Sequence, residues 1–93
     1  MALRFEWDER KADSNFRKHR VSFREATTVF ADPLSVTIAD PNYSLSERRF
    51  VDIGLSRLGR LLVVSYAERG GRIRVISARL ATHGERKDYE ETI

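Results

Sequence analysis

The chain has no cysteine, two prolines, five glycines, one methionine and two histidines. Without cysteine it forms neither a disulfide framework nor a thiolate-ligated zinc centre. His19 and His83 stand far apart in the sequence, so a histidine-based metal cluster is not expected, and neither is any other cofactor. No apolar run approaches the roughly 18 residues of a membrane span, and no signal peptide opens the chain. A soluble, cytoplasmic protein with no membrane partner is expected. The scarce prolines and glycines never gather into a linker, and there is no internal repeat or low-complexity tract. One domain, 1–93, is the expected organisation.

What is present is enough for a core. Of the 93 residues 41% are hydrophobic, which sets the chain apart from disordered sequences. The net charge is only +3. The kind of cation says more, because arginine far outnumbers lysine and a guanidinium fork matches phosphate oxygens as an ammonium cannot. An arginine excess also follows from GC-rich coding, so it carries weight only where the arginines share a surface.

Residues 3–7 alternate as a short first strand. Asp8 then reads as the N-cap of a helix reaching about His19, with Trp7 and Ala12 as a hydrophobic staple. Lys11, Asn15 and Lys18 line a polar stripe along it, read first as a solvated helix face. Ser22 and Glu25 form a capping box for a second helix through Phe30, ended by Asp32-Pro33. Leu34, Val36 and Ile38 alternate as a half-buried strand, and residues 40–46 form a polar loop. Strand alternation resumes at Arg48. A three-residue turn at Arg57-Leu58-Gly59 pairs Ser56 with Arg60 and sets Arg48 opposite Glu68. Residues 61–67 are apolar on both faces, the mark of a central strand. Thr82 and Glu85 form a further capping box, opening a last helix held mainly by Tyr89 and Ile93.

Gly70-Gly71 reads as the two-residue loop of a hairpin. An unbroken register then pairs Tyr66 with Val75, Val64 with Ser77 and Leu62 with Arg79. Arg60, Tyr66, Glu68, Ser77 and Arg79 would share one face, joined by Arg48, Phe50 and Asp52. Leu61, Val63, Ile76, Ala78 and Leu80 would take the other, beneath the first two helices. The expected fold class is α+β: an antiparallel β-meander with two N-terminal helices packed on one face and a C-terminal helix, in the order β-α-α-β-β-β-β-α.

The words of this sequence resemble the BrnT family of bacterial ribonuclease toxins. They include Phe5-Glu6-Trp7-Asp8, Asn15 with Lys18-His19, Val21-Ser22-Phe23 with Glu25-Ala26, and Val29-Phe30-Ala31-Asp32. Glu47-Arg48, Gly59-Arg60, Tyr66, Glu68-Arg69, Arg74, Ile76-Ser77-Ala78-Arg79, Glu85-Arg86 and Tyr89-Glu90 continue the series. The resemblance implies a RelE-like fold and a toxin of a type II toxin–antitoxin pair. Its partners would be RNA and a cognate BrnA-like antitoxin with a ribbon-helix-helix domain, operator DNA being met only through that antitoxin. Where the family usually has glycine after Lys18-His19, this chain has Arg20, which would be strained in a left-handed helix terminus by about 1 kcal/mol.

Cleaving RNA without a metal requires a base for the 2′-OH, cations for the phosphorane and an acid for the leaving 5′-oxygen. Arg60 and Arg79 suit the phosphate, Glu68 the base, and Tyr66 positioning or protonation. Glu68 equally suits a surface ion pair with Arg48 or Arg69. His19 is a candidate acid–base group, or a charge serving the helix dipole. Lys11, Lys18, Arg48 and Arg69 are candidates for the RNA backbone. The expected activity is a metal-independent endoribonuclease that inhibits translation. The apolar Phe50, Leu62, Val64 and Val75 on the same face would receive the antitoxin, with the last helix shifting to admit it. The alternative is a noncatalytic protein- or nucleic-acid-binding module acting in a repressor complex.

Overall fold

Asp8 begins the first helix as its sequence requires: its carboxylate accepts the backbone N–H groups of Arg10 and Lys11 at 2.8 and 3.2 Å. In the computed structural model, which describes residues 3–91, helix α1 (Glu9–His19) follows strand β1 (Arg4–Glu6). Arg20 ends the helix in the left-handed conformation, φ 58°, its N–H bonded to the Phe16 carbonyl at 2.8 Å. The strain expected of an arginine there is therefore present, yet the link stays short. Helix α2 (Phe23–Thr27) starts three residues on, with the Ser22 hydroxyl accepting the Glu25 N–H. It tightens into a 3₁₀ turn over Thr28–Ala31 instead of continuing as α-helix to Phe30.

Strands β2 (Val36–Ala39), β3 (Arg48–Leu55), β4 (Leu61–Arg69) and β5 (Arg72–Leu80) precede helix α3 (His83–Glu91). They form a sheet in the order β1-β5-β4-β3-β2, with apolar β4 at its centre. The β3–β4 register is the expected one: Ser56 N–H bonds the Arg60 carbonyl across the turn, and Arg48 stands opposite Glu68. Gly70 and Gly71 both take positive φ, as a type I′ hairpin turn demands. The α+β class and the order of elements are as expected. The meander is not wholly antiparallel, because β1 lies parallel to β5 and makes the sheet mixed.

The hairpin register requires a second correction. Tyr66 pairs with Val75 as expected, but Ser65 pairs with Ser77, Val64 with Ala78 and Val63 with Arg79. Ile76 is an extra residue, a β-bulge, and beyond it every side chain of β5 changes face. Arg79 therefore lies on the face opposite Tyr66. The helices also cover the other side from the one expected. Val21, Phe23, Ala26 and Val29 pack with Leu62, Val64, Val75 and Ala78, all fully or nearly buried. Gly54 explains how the 3₁₀ turn fits that closely, since a Cβ there would lie 2.7 Å from the Val29 side chain. Of the apolar residues assigned to antitoxin docking, Leu62, Val64 and Val75 are thus core and Phe50 is half-buried beside them.

On the opposite side, Ile53, Leu61 and Val63 gather under Tyr89 of α3. The Tyr89 hydroxyl donates to Asp32 at 2.7 Å, and that bond with burial pushes its pKa up to about 12. Ile93, the other expected anchor, lies outside the described residues. No helix of the described residues is long and apolar enough to cross a membrane.

Candidate functional site

The sheet thus has a covered side and an open one. On the covered side, Tyr66 is 6% exposed, edge-on to Phe30 and tilted against Phe50. Its hydroxyl donates to Asp52 at 3.2 Å, and Thr37 donates to the same oxygen at 2.6 Å. Burial pushes the Asp52 carboxyl up, and burial with the charge of Asp52 pushes the Tyr66 phenol well above its ordinary range. Tyr66 and Asp52 therefore stiffen the interior.

Arg60 belongs to the same side, at the turn that enters β4. Its Nε donates to Glu25 Oε2 at 2.9 Å, while Nη2 reaches Glu25 Oε1 and the Arg20 carbonyl. Ser56 donates to the same carboxylate at 2.7 Å. The Arg60 guanidinium outweighs burial and holds the Glu25 carboxyl below its usual range. Glu25 consequently does not close its capping box; it ties the turn between β3 and β4 to α2.

The open side is where β3, β4 and β5 turn their arginines outward past the edge of α3. Parity places Arg49, Arg69, Arg72, Arg74 and Arg79 there, beside Ser65 and Ser77. Each arginine meets a carboxylate from the margin. Arg74 pairs with Glu6 at 3.0 Å, Arg49 and Arg69 with Glu47 at 3.3 and 3.7 Å, and Arg79 with Glu85 at 2.7 Å. The face is held in place by ion pairs yet stays accessible, with Arg69 and Arg72 more than half exposed. Sequence reasoning missed Arg49, Arg72 and Arg74 as members of one surface; strand parity contained that signal once the bulge is known.

Around the edge of β5 the cations continue. β1 pairs only as far as Arg74, leaving the rest of that edge without a strand neighbour. Asn15 takes the neighbour's place: its side chain accepts the Ala78 N–H at 3.1 Å and donates to the Ala78 carbonyl at 2.8 Å. It is 8% exposed, so the stripe with Lys11 and Lys18 is not a wholly solvated face. Docking α1 there creates a shallow cleft of 240 Å³ lined by Lys11, Ser14, Lys18, His19, Ile76 and Ser77. His19, Lys11 and Lys18 are thus brought together, and Ser77 joins their cleft to the strand that carries Arg79. Glu68 and Arg48 face each other at the far, turn end of the hairpin, with the Arg48 guanidinium 6.0 Å from the Phe50 ring. The nine residues singled out from the sequence therefore do not form one cluster. Among the described residues no three His, Asp or Glu side chains could hold a metal ion together.

The chain is thus an α+β domain with α1 and α2 packed on one side of its sheet and, on the other, ion-paired arginines beside α3. The family described as ribonuclease toxin, BrnT, of type II toxin–antitoxin system matches over residues 7–85, and the chain belongs to it. Among solved structures it is similar to the Brucella abortus ribonuclease toxin BrnT, a 1.1 Å crystal structure, with a TM-score of 0.69 and 21% sequence identity. That likeness covers 88% of this chain and 100% of the other, and it speaks for the fold. No curated protein matches the sequence.

Proposed function

We propose that this toxin is an endoribonuclease that cuts RNA through the neighbouring 2′-OH, without a metal, and so arrests translation. The observation carrying this reading is the continuity of cations from the α1–β5 cleft, across Ser77, to Arg79 on the open sheet. A strand of RNA laid around that edge meets lysines and arginines for its backbone and His19 for proton transfer. Arg79 supplies the donor for the phosphorane. Lys11 and Lys18 hold the backbone on one side of it, and Arg69, on the same open face, holds it toward the hairpin turn. Glu68 and Arg48 stand at that end on the helix-covered side, away from the RNA path, while Tyr66 and Arg60 act by fixing the sheet and its turn.

In this reading the partner that silences the toxin is a BrnA-like ribbon-helix-helix antitoxin, and operator DNA is reached through it. With the helix-covered side already filled by core, the bare sheet is the surface such a partner must obstruct. The test is incubation of purified protein with RNA in excess EDTA. Cleavage leaving 2′,3′-cyclic phosphate ends, and lost when Arg79 and His19 are replaced, is the expected result. Intact RNA under all conditions, with antitoxin affinity falling in the same variants, would leave only the noncatalytic repressor module.

A further inference from the structure

Arg79 and Arg60 are both paired with a glutamate, yet they present different edges. Arg79 gives Glu85 the end of its guanidinium, with Nη1 to Oε1 at 2.7 Å and Nη2 to Oε2 at 2.8 Å. The second Nη1 hydrogen goes to the Leu80 carbonyl at 3.2 Å. Of the five donors of a guanidinium, those remaining are Nε–H and one Nη2–H, which point the same way as a second fork. Among the described residues neither of these two has another partner. Arg60 is the reverse: its Nε and Nη2 edge is the one that Glu25 and the Arg20 carbonyl consume.

Glu85 is itself fixed. Its Oε1 accepts the Thr82 N–H at 2.8 Å, and its own N–H donates to the Thr82 hydroxyl at 3.2 Å, a complete capping box at the start of α3. The Arg79 guanidinium holds the Glu85 carboxyl down at about 2, so the clamp is ionised throughout the physiological range. A helix terminus, a carboxylate and an arginine are thereby joined in series.

The geometry points to Glu85 as a positioning residue of the RNA site: it grips Arg79 by one edge and aims the free Nε/Nη2 fork at a single phosphate. This rests on the reading of Arg79 as the phosphate-binding cation. A bidentate fork fits two oxygens of one phosphate, and its strength as a catalytic donor depends on being held before the charge develops. Glu85 need not leave for RNA to bind, because the phosphate takes the edge that the carboxylate does not.

Glu85→Gln separates this role from helix capping, since glutamine serves the same cap position but loses the charged clamp. We expect the maximal rate of RNA cleavage to fall by about a hundredfold, the scale of a misplaced catalytic group, with KM changed little and the protein still folded. In an Arg79→Ala background the same substitution should have no further effect, because Glu85 acts only through Arg79. An equal loss in both backgrounds would make Glu85 a structural residue. A rate equal to or above wild type would make it a bystander or a competitor of the phosphate, and either result overturns the proposal. If wild-type protein leaves RNA intact, or if Arg79→Ala cleaves as wild type does, the site reading itself fails and the positioning role falls with it. Cleavage that needs Arg79 but not Glu85 removes the positioning role alone.

Discussion

Arg60 and Arg79 look alike in the sequence, each an arginine at one end of a strand, and each ends up paired with a helix carboxylate. Their surroundings differ in what is left over. Glu25 is buried, shares its oxygens with Ser56, and takes the whole side edge of Arg60. Glu85 is more exposed, sits in a helix cap and leaves that edge of Arg79 open. An ion pair thus says little about function until its unused donors are counted.

The comparison breaks first under alanine. Arg79→Ala should lower RNA cleavage at least a hundredfold, the roughly 2.7–4 kcal/mol of a lost transition-state donor, in protein that still folds. Arg79→Lys should recover only part of this, because one ammonium cannot hold the glutamate and offer a fork as well. Arg60→Ala should show the opposite profile, unfolding at lower temperature while surviving protein cleaves RNA. Removing one partner of a buried pair costs about 3–5 kcal/mol, and water reaching Glu25 past an Arg60 that is 34% exposed reduces this to about 2 kcal/mol. Full toxicity in Arg79→Ala, or no activity in folded Arg60→Ala, would reverse the assignment.

Acid titration sharpens the same contrast against Asp52. Glu25 and Glu85 have folded pKa values below their ordinary 4.5, so both pairs stabilise the fold above that pH and lose this as pH falls. For Glu85 the loss runs down to about 2. Asp52 is raised above 3.8, so its contribution runs the other way: stability falls as pH rises through the raised value. Asp52→Asn should therefore raise the melting temperature at pH 7 relative to wild type, and the two should converge in acid. A constant difference across pH would show that Asp52 does not titrate in the fold. The smallest effect belongs to Arg20→Gly, which relieves the left-handed strain and should add about 1 kcal/mol, roughly 4–8 °C, in a thermal melt.

Much of the fold was legible because local chemistry dictates it. Asp8, Ser22 and Thr82 cap helices, Gly59 and Gly70-Gly71 turn strands, and the β3–β4 register follows from its turn. The side chosen by the helices was not legible from β4, whose residues are apolar on both faces and carry no asymmetry to read. Gly54 held the missing sign, a strand glycine against which the Val29 side chain packs closely. The parallel β1 pairing and the bulge at Ile76 depend on contacts distant in sequence. Because the bulge sets the parity of Arg79, the candidate site was legible as a set of residue types but not as a surface. Asn15 was misread for a related reason, since its strand-like bonds exist only once α1 meets the end of β5.

The bulge makes the length of β5, more than its composition, decide where the charge of this protein goes. Ile76 acts as a half-twist in a ribbon: before it, Val75 faces the helices, and after it the odd-numbered Ser77 and Arg79 face outward. A strand that took Ile76 into the ladder instead of bulging would keep every side chain it has now. It would drive a guanidinium toward the packed helices and turn Ala78 to water, a fold at war with its own core. An added residue beyond the bulge should thus be far less tolerated than a substitution or the loss of Ile76 itself, because only the added residue slips the register and reverses the polarity of the strand end.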